Sequence, residues 1–231
     1  MKTKCEITKV KLALLAIILA GLAPSLHATI VTASQTDNIV IPDNNLNGVA
    51  ETINLSAPFT SISDVEVSLD ISGGYDGDYY AYLRNSTGFA VLLNRVGSTI
   101  NNPYGSPDSG FNVTFSDSAA NGDIHLENAG GGMVSGTRQP DGRNVSPLTA
   151  LDTDPRTAFL SSFNGLNPNG AWTLFIADCS PGGQGTLDSW SLDVTGNGLP
   201  IPEPTTLISG VLLLLPFGAT TLRVLRKRHT A

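Results

Sequence analysis

The sequence predicts an all-β protein, an antiparallel β-sandwich of two sheets. Three observations carry that prediction. Apolar and polar residues alternate with a period of two in several short segments. Gly, Asn, Asp, Ser and Thr interrupt the chain about every ten residues. No sustained helical period runs through residues 29–199. Alternation on one side only, with short turns between, suits strands that bury one face and expose the other.

The clearest strand is "DVEVSLDIS", residues 64–72, where Val65, Val67, Leu69 and Ile71 face one way and Glu66, Ser68 and Asp70 the other. "YYAYLRN" and "FAVLLNRV" follow, joined at Ser86-Thr87-Gly88, which reads as a hairpin turn. "FNVTFSD" alternates through Phe111, Val113 and Phe115. From Asp117 to Pro147 the pattern fails in a stretch rich in Gly and Asn, with one brief strand expected near Ile124 to Leu126. That stretch reads as a surface excursion within one domain, because strand patterning is expected to resume at Ala158. "AWTLFIAD" then places Trp172, Leu174 and Ile176 in phase, and "LDSWSLDVT" does the same for Trp190, Leu192 and Val194. Both tryptophans fall on apolar faces and are expected in the core.

The two ends carry a different message. Lys2, Lys4, Lys9 and Lys11 precede an apolar run from Leu12 to Leu22, and Ala28 offers a small residue for cleavage before Thr29. Residues 1–28 therefore read as a signal peptide for signal peptidase, the alternative being an uncleaved anchor. At the other end, Leu207 to Leu222 is apolar or small throughout. As a helix it would span roughly 24 Å, against a bilayer core of roughly 30 Å. Arg223, Arg226, Lys227 and Arg228 flank it and would hold the far end in the cytoplasm.

Between the ends, residues 29–199 contain five arginines, no lysine and 18 Asp and Glu, a formal charge of −13. Such a surface argues against nucleic acid and anionic lipid as partners, since both need a basic face. Cys5 lies in the signal peptide, so Cys179 stands alone and no intramolecular disulfide is available after export. Burial is the expected fate of that thiol.

Pro202-Glu203-Pro204, an apolar helix and a terminal Arg/Lys cluster occur here in that order. This arrangement resembles the PEP-CTERM sorting signal of Gram-negative bacteria, over residues 200–231. The resemblance implies a short stay in the inner membrane and processing by exosortase, a membrane peptidase. The destination would be the outer surface or the extracellular matrix. An ordinary tail anchor is the alternative.

A second resemblance lies in "GAWTLFIADCSPGGQGTLDSWSLDV". Gly170, Trp172, Leu174, Asp178, Gly185, Leu187, Trp190 and Leu192 resemble the closing motif of the proprotein-convertase P domain, also called P/Homo B. Upstream, Asp78 matches that family's strand-opening Asp and Gly88 its hairpin glycine. The resemblance covers residues 61–196 and implies a jelly-roll-like sandwich that accompanies a subtilisin-like serine protease. Tyr79-Tyr80-Ala81-Tyr82 departs from the family's aliphatic pattern, and the Gly-rich excursion is longer than the family leads one to expect.

No enzyme is expected. A serine protease needs Asp, His, Ser and an oxyanion hole on a domain of its own, and residues 28–61 are too few to supply one. His125 is the single histidine of residues 29–199 and reads as a solvated loop residue. There is no G-x-S-x-G elbow, "GMVSG" at Gly132 to Gly136 having the wrong spacing. One His and one Cys do not make a zinc site. For calcium, Asp76, Asp78 and Asp178 form a candidate ligand set, and Asp152 and Asp154 a second pair. The competing reading is that these residues fix turns. Tyr80 and Tyr82 share one face of their strand and offer a platform for an exopolysaccharide ring, though cover by the long loop is the expected arrangement.

Two functions are thus open: an exported, non-catalytic surface or matrix sandwich, or an accessory module for carbohydrate or for a separate protease. Catalysis by the chain itself is the weakest reading.

Overall fold

The computed structural model describes residues 28–197. Nine strands form two facing sheets: β1 (Ala28–Ile41), β2 (Asn45–Leu55), β3 (Ile62–Gly73), β4 (Tyr79–Arg84), β5 (Phe89–Asn94), β6 (Phe111–Phe115), β7 (Val134–Arg138), β8 (Gly170–Asp178) and β9 (Gly185–Asn197). One sheet has the order β1-β9-β3-β6-β7, the other β2-β8-β4-β5. All pairings are antiparallel except β6 with β7, which run parallel, so the sandwich is not the purely antiparallel one expected.

The predicted strands bury the predicted faces. Leu69 stands between Val113 of β6 and Trp190 of β9, and Leu83 of β4 pairs with Leu174 of β8. Trp172, Trp190, Phe111, Phe115 and Phe163 are buried between the sheets. Burying such aromatic side chains removes on the order of 150–250 Å² each from water, the largest favourable contribution in a domain of this size. The β4–β5 hairpin closes as expected, with Asn85 Oδ1 accepting from Thr87 N at 3.1 Å and Gly88 N at 2.7 Å. At Gly88 a Cβ would meet Phe163 Cδ1 at 2.2 Å, so glycine is required for the turn to pack on the core.

Four expectations need correction. Residues 124–126 form a 3-10 turn, not a strand: Asp123 accepts from His125 N at 3.0 Å and caps the turn. Regular pairing resumes at Gly170, since another 3-10 turn occupies Leu160–Phe163. The stretch 117–147 is a surface excursion only in part: residues 128–133 are exposed, but Asp141, Gly142 and Arg143 are buried. Its last part lies along the open edge of β5, where Asp141 N donates to Leu92 O and Gly142 N to Val91 O. Finally, β1, β2 and β7 were not foreseen. β1 does alternate, but its half-buried positions include Gln35 and Asp37 while Ile30 and Val40 point outward. Gln35 Nε2 reaches across to Glu51 Oε2 of β2 at 2.8 Å, so a polar pair replaces the expected apolar signal.

The signal peptide and the sorting tail with Pro202, Glu203, Pro204, Arg223, Arg226, Lys227 and Arg228 lie outside the described residues. Among the described residues no helix is long and apolar enough to cross a membrane.

Candidate functional site

Two polar sites stand out against the apolar interior. The first is at one end of the sandwich, where three loops meet: 74–78 before β4, 95–110 after β5, and 179–184 between β8 and β9. Gly77 lets the first two touch through their backbones. A Cβ there would lie 2.4 Å from Tyr104 O and 2.7 Å from Ser106 N. Gly77 N donates to Ser106 O at 3.0 Å, and Asp76 N to Asp108 O at 2.9 Å. Arg95 (φ 56°) is buried beneath them, with Nε donating to Gly77 O and Nη2 to Pro103 O at 3.0 Å.

The 3-10 turn Asp76–Asp78 sends its two carboxylates apart. Asp76 turns toward β6, where its Oδ1 accepts from Gly110 N at 2.8 Å, and its Oδ2 has no partner. Burial, opposed by the Gly110 hydrogen bond and reinforced by the charge of Asp108, pushes the Asp76 carboxyl up to about 8. Asp78 instead faces Asp178. Burial first, then the charge of Asp178, raises it to about 6, against the pull of Arg95 and Ser180. Asp178 is also raised, mainly by burial, although its Oδ1 accepts from Ser180 N at 3.1 Å and Asn44 N at 3.4 Å. The expected calcium set of Asp76, Asp78 and Asp178 therefore does not assemble. Among the described residues no three His, Cys, Asp or Glu side chains form a group able to hold a metal. Asp154 Oδ2 accepts from Leu151 N at 2.8 Å and so fixes a turn.

These shifts share one sign. A carboxyl that ionises near 3.8 in the unfolded chain and near 8 in the folded one makes stability fall as pH rises between those values. Asp78 acts alike over the narrower window up to about 6. Asp76→Asn keeps an acceptor for Gly110 and removes the ionisation. Its thermal midpoint is expected to match the parent at pH 4 and to exceed it by roughly 5 °C at pH 8. Calorimetry at both pH values checks this; equal midpoints at pH 8 refute it.

The second site is where the long stretch crosses β5. His125, expected in solvent, is wholly buried. Its Nδ1 lies 2.7 Å from Asp141 Oδ2 and its Nε2 2.9 Å from Ser98 O. A carboxylate and a carbonyl both accept only, so both ring nitrogens carry hydrogen and the ring is an imidazolium. Burial opposes this charge, but the hydrogen bond and charge of Asp141 outweigh burial and the repulsion of Arg143, and the histidine is raised. Arg143 Nη1 bridges Asp123 Oδ2 at 2.9 Å and Asp141 Oδ1 at 3.3 Å, while Arg156 Nε donates to Asp141 O at 2.9 Å. The polar residues that sequence patterning treated as loop are thus the clamp holding the loop.

Ser98, His125 and Asp141 have the composition of a hydrolytic triad but not its geometry. Ser98 Oγ donates to Ala150 O at 2.8 Å, and His125 meets the carbonyl of Ser98 rather than its hydroxyl. No ring nitrogen has a free lone pair, so His125 in this arrangement cannot take a proton from a nucleophile. Cys179 is buried, its thiol raised by burial to about 12, and Cys179 N donates to Asp78 O at 2.7 Å. It is a poor nucleophile.

Tyr80 and Tyr82 lie half-buried on the outer face of their sheet. Tyr82 stacks on Phe175 with centroids 4.8 Å apart and planes 16° apart, and also meets Phe89 at 5.2 Å. Tyr80 closes the group at 5.9 Å from Tyr82. Neighbouring side chains of the same sheet thus occupy ring faces that a sugar would use.

Residues 140–194 match the model of the proprotein convertase P-domain. The match takes in Asp141 and Arg143 of the clamp, β8 and most of β9, a shorter segment than the resemblance over residues 61–196. No curated protein matches the chain. Two solved structures of a serine protease of Aeromonas sobria are similar to it. For the complex of that protease with its chaperone, identity is 14%, coverage 80% of this chain and 29% of the matched chain, and the TM-score 0.44. For the protease alone, identity is 14%, coverage 78% and 29%, and the TM-score 0.42. This chain therefore spans less than a third of the length of the chains it matches.

Proposed function

We propose that this chain is an exported, non-catalytic β-sandwich module of P-domain type that acts by contact with another polypeptide, a subtilisin-like protease in the first instance. The match of residues 140–194 to the P-domain carries this reading. The buried clamp supports it, because the histidine a protease would need as base is engaged at both nitrogens in holding a loop.

The ends of the chain complete the proposal. The signal peptide exports the module, and the tail with its Pro202-Glu203-Pro204 tripeptide directs it to an exosortase and then to the cell surface or matrix. The acidic charge of residues 29–199 suits solubility outside the cell.

Fractionation of the native host, with intact mass measured on the recovered chain, tests both parts. The expected product begins near Thr29, ends near Pro202 to Pro204, lies outside the inner membrane and co-purifies with a protease that lacks its own P-domain. A mass retaining Arg228 in the inner membrane overturns the sorting. A product that co-purifies with no polypeptide, and does not lengthen the thermal half-life of such a protease, overturns the accessory role.

A further inference from the structure

The loop end of the sandwich holds a cavity of about 280 Å³, lined by Tyr75, Asp78, Tyr104, Ser106, Pro107 and Pro181 among others. Its walls are unusual for an acidic surface. Tyr75 is 45% exposed and Tyr104 79% exposed, both carried on loops tied together at Gly77. Asp78, only 5% exposed, lines the same cavity. Asp178 is wholly buried and does not line the cavity, but its charge acts on Asp78.

The charges here do not balance. The charges of Asp178 and Asp43 act on Asp78, and that of Asp43 acts also on Asp178. Arg95 is the cation that offsets them, yet its N–H groups donate to the carbonyls of Gly77 and Pro103. A carboxylate as deeply buried as that of Asp78 is costly to keep ionised unless a cation meets it. Tyrosine rings and a carboxylate that line one cavity form an environment that attracts an organic cation, the rings through their faces and the carboxylate through charge and hydrogen bonds. The cavity is sized for a side chain rather than a bare ion, and Pro107 and Pro181 offer apolar surface for a methylene stem. Residues 29–199 contain no lysine, so the sandwich has none of its own to place there.

We propose that this cavity binds the alkylammonium group of a lysine side chain presented by a partner polypeptide. The identity of the occupant as a polypeptide rests on the accessory role; the recognition chemistry does not. The test is an NMR titration of the full chain, carrying ¹³C-labelled tyrosine, with Nα-acetyl-lysine N-methylamide and with the same compound acetylated at Nε. The charged probe is expected to shift the Tyr75 and Tyr104 ring signals saturably, and the acetylated probe to leave them in place. Asp78→Asn should weaken the charged probe about tenfold, and Tyr104→Ala about threefold. Tyr104 is highly exposed, so its replacement leaves the core and the thermal midpoint unchanged, whereas Asp78→Asn, which removes a raised buried carboxyl, is verified as folded by a midpoint at or above that of the parent. Equal shifts from the two probes, no shift from either, or saturation by millimolar Ca²⁺ without a response to the ammonium overturns the proposal. Because the probe is a small molecule, failure here is separate from failure to find a protease partner in the host.

Discussion

Asp141→Ala is expected to lower the unfolding free energy by about 3–5 kcal/mol, the cost of leaving buried cations without their carboxylate. Three cationic groups lean on this residue. His125 meets its Oδ2, Arg143 its Oδ1, and Arg156 its main-chain oxygen. The side-chain substitution removes the first two contacts while the two charges stay buried. Asp141→Asn distinguishes charge from hydrogen bonding: it keeps an acceptor for His125 and loses the negative charge. The sign of the accompanying pH effect follows from the raised histidine. Its contribution is fully present below the unfolded value of 6.5 and is lost as pH rises through the higher folded value. Urea unfolding of parent and Asp141→Asn at pH 5 and pH 8.5 measures this. The parent should lose more stability between the two pH values than the variant, and equal losses would refute the imidazolium.

Trp172→Ala is expected to cost about 3–5 kcal/mol through the cavity it leaves. The ring packs on Phe163 at 4.8 Å between centroids and its Nε1 donates to Pro168 O at 2.8 Å. That bond ties the start of β8 to the segment before it. Trp190 is as deeply buried, but its Nε1 has no partner among the described residues. The two tryptophans therefore predict a contrast. Trp172→Phe should destabilise more than Trp190→Phe by about 1 kcal/mol, the net worth of one hydrogen bond. Denaturant titration of the pair reads it directly, and equal costs would remove the assigned role of the Pro168 bond.

The strands most visible in the sequence are those whose inner positions are uniformly apolar. β3, β6, β8 and β9 were found through Val67, Val113, Leu174 and Leu192 because each lies in a run where burial alone decides the pattern. β7 escaped because Val134 is its one buried apolar side chain, and its backbone is held by β6. The same limit applies to the site. Asp76 and Asp78 were read as candidate calcium ligands, but their spacing says nothing about which way each turns around Gly77. The partners that decide it, Gly110 for one and Asp178 for the other, are 34 and 100 residues away.

His125 shows the division most plainly. Local composition around it, rich in Gly, Asn and Asp, reads as solvent-exposed loop, and no short-range signal opposes that. The residue is buried because Ser98 and Asp141 arrive from other parts of the chain. Alternation, turn residues and the charge of the middle region belong to the sequence alone, since each depends on neighbours within a few positions. They determined the sandwich class, its main core strands and an acidic surface. The pairing of β6 with β7, the separation of Asp76 from Asp78, the clamp at His125 and the tyrosine-lined cavity were decided only by tertiary structure. All four depend on contacts between distant segments, whose polar groups had to find partners once water was excluded.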